Sequence, residues 1–154
     1  VFLPELWASH ARFRSQKTAL VCGDQRLTWG ELNTSCNRVA NKLLEANAGK
    51  SSIVALLMNN SVQTAVVLLG SIKAGACVVP ISTMLTASQV ASLLMDSGAS
   101  VLFVDASTRA LAEMALSEMD NKDQILMVCS SGGEGSWLAM DCWLVGASDV
   151  EPPP

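Results

Sequence analysis

Histidine is almost missing from this chain: His10 is the only one among 154 residues. Without a second histidine, neither a histidine-rich metal cluster nor a Ser-His-Asp arrangement has support. Charge is scarce as well, at 16% of residues against roughly 25% in an average soluble domain. The ten Lys and Arg residues are scattered singly and the net charge is −4, so no basic stripe exists to grip a phosphate backbone, and nucleic acid is excluded as an expected partner. No stretch of 18 uninterrupted apolar residues is present, so no membrane span is expected. The first residues lack the charged start and small-residue cleavage site of a secretion signal, and the expectation is a cytoplasmic protein. The cysteines Cys22, Cys36, Cys77, Cys129 and Cys142 form no Cys-x-x-Cys pair. They read as buried, reduced thiols rather than a disulfide frame or a zinc site. Metal ligands are expected nowhere in the chain.

What the chain does have is apolar content, 50% of its residues. That is enough, at this length, for one domain with a real core. Paired with so little charge, it leaves two readings: a compact α/β domain with buried helices, or a piece of a larger protein with a face normally covered, which would self-associate when that face is free.

The apolar residues fall into alternating helical and strand patterns. Leu6, Trp7, His10 and Phe13 predict a short amphipathic helix over residues 2–14, on which His10 is a bystander. Thr18 to Cys22 and Gln25 to Thr28 predict a hairpin about Gly23-Asp24. Thr28 and Glu31 then form a Thr-x-x-Glu capping box, followed by Leu32, Cys36, Val39, Ala40, Leu43 and Leu44 at helical spacing. Ile53 to Met58 predicts the first parallel strand. Asn59-Asn60-Ser61 offers caps for a helix over 62–74 that is apolar nearly all round, and so is expected to be buried on more than one side. Gly75 ends that helix, because glycine tolerates the left-handed turn, and Cys77-Val78-Val79 predicts a strand buried on both faces that stops at Pro80. Thr86 and Gln89 make a second capping box, with Val90, Leu93 and Leu94 as its apolar stripe and Gly98 as its end. Strands over 100–104 and 124–128 enclose a helix over 107–119. Trp137, Leu138, Cys142, Trp143 and Leu144 predict one short helix before a proline-rich linker at 151–154. Strands alternating with helices of about a dozen residues imply a three-layer α/β/α domain over 1–150 with a mainly parallel sheet.

Few of these residues invite chemistry. Asp96, Asp105, Asp120 and Asp123 each stand at an element end, where capping or solvation accounts for a carboxylate. Lys73, in the last turn of its helix, complements the carbonyl end of the dipole. Ser130-Ser131-Gly132-Gly133-Glu134-Gly135 is glycine-rich, but Glu134 opposes any bound anion, so a plain surface loop is expected. The chain has no Walker Gly-Lys-Ser/Thr, and this loop does not complete Gly-x-Gly-x-x-Gly. Asn59, Asn60 and Ser61 follow the C-terminal end of a strand, the edge where open α/β sheets bind ligands, and are the weak local candidates for cofactor contact.

Two motifs carry a family resemblance. Leu27-Thr28-Trp29-Gly30-Glu31-Leu32 resembles the Leu-Thr-Tyr-x-Glu-Leu motif of AMP-forming acid ligases, and Lys73-Ala74-Gly75-Ala76 with Val79-Pro80 resembles a second motif of that family. The group includes acyl- and aryl-CoA synthetases, firefly-type luciferases and peptide-synthetase adenylation domains; the motif style is closest to bacterial fatty or aromatic acid CoA ligases. The resemblance implies the N-terminal subdomain of an enzyme that activates a carboxylic acid with ATP and Mg2+ and passes it to coenzyme A. It also implies that the phosphate loop and other catalytic groups lie downstream in the remainder of the ligase chain. Accordingly, no catalytic residue is expected here, the family residues Thr28, Glu31, Lys73, Gly75 and Pro80 are expected to be structural, and the chain alone is expected to bind no cofactor and to be inactive. A small flavodoxin-like binding domain and a non-catalytic interaction module remain the alternatives.

Overall fold

The computed structural model describes residues 3–153. Phe2, expected to open the first helix, and Pro154, the last residue of the expected linker, lie outside that range. The elements run in order α1 (Leu3–Phe13), β1 (Thr18–Cys22), β2 (Gln25–Thr28), α2 (Trp29–Glu45), β3 (Ile53–Leu57), α3 (Val62–Lys73) and β4 (Cys77–Pro80). They continue with α4 (Ala87–Ser97), β5 (Val101–Val104), α5 (Arg109–Ser117), a short 3-10 turn at Lys122–Gln124, β6 (Leu126–Cys129), β7 (Leu138–Ala139) and α6 (Met140–Trp143).

Strand alternation builds the three layers. In β3, Val54 and Leu56 enter one core while Ala55 and Leu57 enter the other; in β5, Val101 and Phe103 face the first and Leu102 and Val104 the second. Side chains of successive strand residues point to opposite faces, so a run that is apolar throughout requires cover on both. Helices α2 and α3 provide it on one side, and α4 and α5 on the other. The sheet order is β4-β3-β5-β6-β7, all parallel, with β1 and β2 forming a separate antiparallel hairpin.

The helix starts follow their capping chemistry. Thr28 Oγ1 accepts from the Glu31 amide while the Glu31 carboxylate accepts from the Thr28 amide at 2.8 Å, and Thr86 and Gln89 repeat the arrangement at α4. Gly75 and Gly98 end α3 and α4 with φ of +82° and +67°, the left-handed region that favours glycine. No residue of α3 is exposed, as its all-round apolar sequence requires.

Several expectations change. Helix α1 buries Pro4 and Trp7 but leaves Leu6 and Phe13 exposed, because its apolar stripe is wider than the face it rests on. Leu93 is exposed for the same reason, with Val90 and Leu94 taking the core positions of α4. β4 is an edge strand among the described residues, so Cys77 and Pro80 are exposed rather than buried on both faces. The segment at Trp137–Leu144 is not one helix: Leu138 and Ala139 pair with Val128 and Cys129 as β7 before the single turn of α6. No helix among the described residues is long and apolar enough to cross a membrane.

The cysteines divide by position, so uniform burial is also corrected. Cys36 and Cys129 are buried, Cys22 is half-buried, and Cys77 and Cys142 are exposed. Burial pushes the Cys36 thiol up to about 12, although nearby Lys73 acts to lower it. Thiolate is the reactive form. Under native conditions an alkylating reagent is therefore expected to label Cys77 and Cys142 first, with Cys36 and Cys129 labelled only on unfolding. Peptide mass spectrometry over a time course checks this, and Cys36 labelling as fast as Cys77 would contradict the packing of α2 on α3.

Candidate functional site

Two polar clusters stand out on this scaffold. The first lies at the C-terminal ends of β3 and β5. Helix α3 carries the chain from β3 outward to β4, and α4 returns it across the opposite face to β5, so the connections diverge between β3 and β5. Open α/β sheets bind ligands in the crevice at such a point. Asn59 follows β3 and Asp105 follows β5.

These two residues are joined across the crevice. The Asp105 carboxylate accepts from the Asn59 amide at 2.7 Å and from Asn59 Nδ2 at 3.2 Å. Its other oxygen accepts from Ser107 N at 2.9 Å, Ser107 Oγ at 2.6 Å and Thr108 N at 3.1 Å. Partial burial pushes the Asp105 carboxyl up, but the hydrogen bonds from Ser107, Asn59 and Thr108 outweigh it and hold the group below the usual carboxylate range. Thr108 Oγ1 also donates to Leu57 O at 2.6 Å, tying the loop after β5 to the end of β3. Asn59 Nδ2 is further engaged by Ser107 Oγ at 2.8 Å. Ser61 caps α3, its Oγ accepting from Thr64 N at 3.0 Å, while Asn60 is exposed. Of the three candidates drawn from the sequence, two already have their polar atoms occupied within the chain. The cluster works chemically as a clip between two strand ends.

The glycine-rich loop after β6 starts beside that cluster, Ser131 Oγ accepting from Ala106 N at 3.1 Å, and leaves it toward α5. Glu134 pairs with Arg109 at 3.1 Å, and Trp137 Nε1 donates to Glu113 at 3.1 Å, so the loop is drawn down onto α5. Among the described residues there is no group of three or more His, Cys, Asp or Glu side chains able to hold a metal ion.

The second cluster was not foreseen from the sequence. Lys73 is buried, with only 2% of its side chain exposed, and its three donors are spent on Asn33 Oδ1 at 2.7 Å, Asn37 Oδ1 at 2.6 Å and Glu151 Oε1 at 2.6 Å. Its position in the last turn of α3 agrees with a favourable dipole contact, but the ammonium is held by these three oxygens. Burying it without them would be costly. The Glu151 carboxylate in turn accepts from Asn33 and Asn37 Nδ2. Partial burial pushes Glu151 up, and the hydrogen bonds from Lys73, Asn33 and Asn37 bring it below its usual range. Glu151, expected to open a linker, is thus held against α2 and α3. Beside this cluster, α1, the start of α2 and Glu151–Pro153 enclose an open groove of about 810 Å³. A cue was present in Asn33, Asn37 and Asn41, spaced four apart on α2, but nothing local marks their partner more than 100 residues away.

Thr28 and Glu31 close the start of α2, Gly75 turns α3 into β4, and Pro80 ends the ladder of β4 with β3. These family-motif residues sit at element boundaries.

The comparisons with known proteins agree with this architecture. A family model described as AMP-binding enzyme matches residues 6–142. The chain is 38% identical over 100 residues to the PKS-NRPS hybrid synthetase acdB of Aspergillus candidus, covering 65% of this chain and 4% of that protein. It is 36% identical over 97 residues to the long-chain-fatty-acid–CoA ligase FadD13 of Mycobacterium tuberculosis, covering 63% of this chain and 19% of that protein. The chain therefore spans only a small part of the relatives it matches. An inhibitor-bound N-terminal domain of FACL13 from Mycobacterium tuberculosis superposes with a TM-score of 0.81 at 29% identity, over 98% of this chain and 37% of that one. The chain belongs to the AMP-binding enzyme family and has the fold of the N-terminal subdomain of its acyl- and aryl-CoA synthetases.

Proposed function

We propose that this chain is the N-terminal part of an adenylate-forming ligase. In the reaction, a fatty or aromatic carboxylate attacks the α-phosphate of ATP, releasing pyrophosphate and giving an acyl-adenylate. A thiol, coenzyme A in the reading preferred from the motifs, then displaces AMP to leave a thioester. The observation that carries this reading is the AMP-binding family match across residues 6–142, with both motifs at element boundaries of the matching fold.

Among the described residues, no side-chain set suits ATP or Mg2+. Asp105 is saturated with donors, Glu134 would repel phosphate, and no metal-binding cluster exists among the described residues. No step of the reaction is therefore assigned to these side chains. Their contribution is a rigid sheet and its helical cover, onto which the rest of the ligase packs. The relatives include both a hybrid synthetase and a CoA ligase at similar identity, so identity alone does not choose the thiol acceptor.

The test is acid-dependent exchange of labelled pyrophosphate into ATP by the full-length protein, over a panel of fatty and aromatic acids. Exchange with at least one acid is expected, followed by thioester formation when coenzyme A is added. The 154-residue chain run alongside should give no exchange. Activity in the short chain, or no exchange by the full protein with any acid, would remove this reading.

A further inference from the structure

The segment after α6 is fixed at several points by one helix. Arg38 Nη2 donates to Leu144 O at 3.0 Å, Asn41 Nδ2 to Ser148 O and Val150 O, each at 2.9 Å, and Asn37 Nδ2 to Asp149 O at 2.8 Å. The backbone bends as it passes. Gly146 has a φ of +71°, and Val150 N donates to Ser148 Oγ at 3.2 Å, while three successive carbonyls turn toward α2. This path ends on Glu151, whose carboxylate meets the Lys73 ammonium at 2.6 Å and accepts from Asn33 and Asn37. Ser148, Asp149 and Val150 are exposed, so the arrangement gains little from apolar burial. What it gains is a fixed direction, because a buried ammonium tolerates few arrangements of its acceptors.

We propose that Lys73 is a positioning residue for the adenylation reaction, acting through Glu151 and the α2 asparagines to set the point and direction from which the remainder of the ligase leaves this subdomain. The inference rests on the ligase reading given above. Among the described residues no side-chain set suits ATP or Mg2+, so in that reading the reacting groups belong to the remainder. This subdomain then bears on the reaction through how the remainder is held, and the covalent junction is part of that hold. Small errors there are expensive, since a misplacement of about 1 Å far from the chemistry can cost on the order of a hundredfold in rate. Lys73 is well placed as the anchor. It stands in the last turn of α3, just before Gly75 turns the chain into β4, and its other two acceptors are on α2. The ion pair therefore ties the junction to two helices and the sheet rather than to a loop. Asn41 adds to the hold from the outer end, through main-chain carbonyls alone.

The test uses the full-length protein and acid-dependent exchange of labelled pyrophosphate into ATP, with kcat and KM determined per folded molecule well below the melting temperature. In Glu151→Gln, kcat is expected to fall about tenfold or more, as misalignment implies, with KM for ATP and for the acid little changed because no side chain here binds either substrate. Lys73→Met should give the same split. Asn41→Ala decides the matter if those two variants do not fold: it spares the buried ammonium, so Tm should barely move, yet kcat should fall by about threefold or more. A merely structural role would lower Tm and leave the kcat of the folded molecules alone. Exchange by the parent protein with kcat unchanged in Asn41→Ala and in every folded variant of the pair would overturn this inference and leave the ligase reading standing. No exchange by the parent protein would remove that reading, and the inference with it.

Discussion

Phe103→Ala is expected to destabilise the chain by about 3–5 kcal/mol, the cost of emptying an aromatic site in a packed core. Phe103 has no exposed surface and lies on β5 between Leu56 of β3 and Val128 of β6 in the parallel register. Its ring meets Trp143 edge-on with centroids 5.7 Å apart, a contact that truncation also removes. The neighbours cannot close the gap easily, because the flanking strands are fixed by ladder hydrogen bonds on both sides. Domains of this kind have only about 5–15 kcal/mol of stability in all, so the variant should be marginal. Urea unfolding followed by tryptophan fluorescence reads the effect as a fall in midpoint at constant slope. A loss below about 1 kcal/mol would mean that this part of the core is loosely packed.

Gly70→Ala is the second large effect, and its sign runs against local propensity. Alanine is the better helix former by about 1 kcal/mol, so an isolated α3 would gain from the change. In the fold, an added Cβ would stand 2.8 Å from Val39 Cβ, 2.9 Å from Val39 Cγ1 and 3.0 Å from Cys36 O. Two of these three atoms are a Cβ and a backbone oxygen of α2, which no rotamer change can remove. The helices must part, and a net loss of about 1–3 kcal/mol is expected from overpacking. For the same reason Val39→Ala should not rescue the variant, since the offending Cβ remains. Stability equal to or above that of the parent protein would show that α2 and α3 do not approach this closely.

These two positions differ in how visible they are beforehand. Phe103 sits in the uninterrupted apolar run Val101–Val104, which announces a strand buried on both faces. Gly70 sits in an apolar helix without any local sign that a second helix crosses at that point. Where the decisive interactions are near in sequence, expectation and structure coincide: both capping boxes, the left-handed Gly75 and Gly98, and the hairpin about Gly23 appear at their expected places. Where the partner is distant, the two part. The run Cys77-Val78-Val79 cannot be told apart from a central strand until the sheet order places it at an edge. Trp137 and Leu138 read locally as helix, because their pairing with β6 is a non-local contact. At the candidate site, Asn59 and Ser61 were legible as strand-end and cap residues, but the Asp105 clip that occupies Asn59 spans 46 residues.

The sequence by itself therefore determined the alternating α/β order, the element ends and the family motifs, because capping, turn geometry and apolar periodicity all act within a few residues. Only the tertiary structure decided that Lys73 would be buried beneath Glu151, that Asn33, Asn37 and Asn41 would grip the segment at 148–151, and that β4 would lie at an edge. Those outcomes join groups separated by up to 118 residues along the chain. Such pairings depend on how whole layers come together, and no local pattern encodes that.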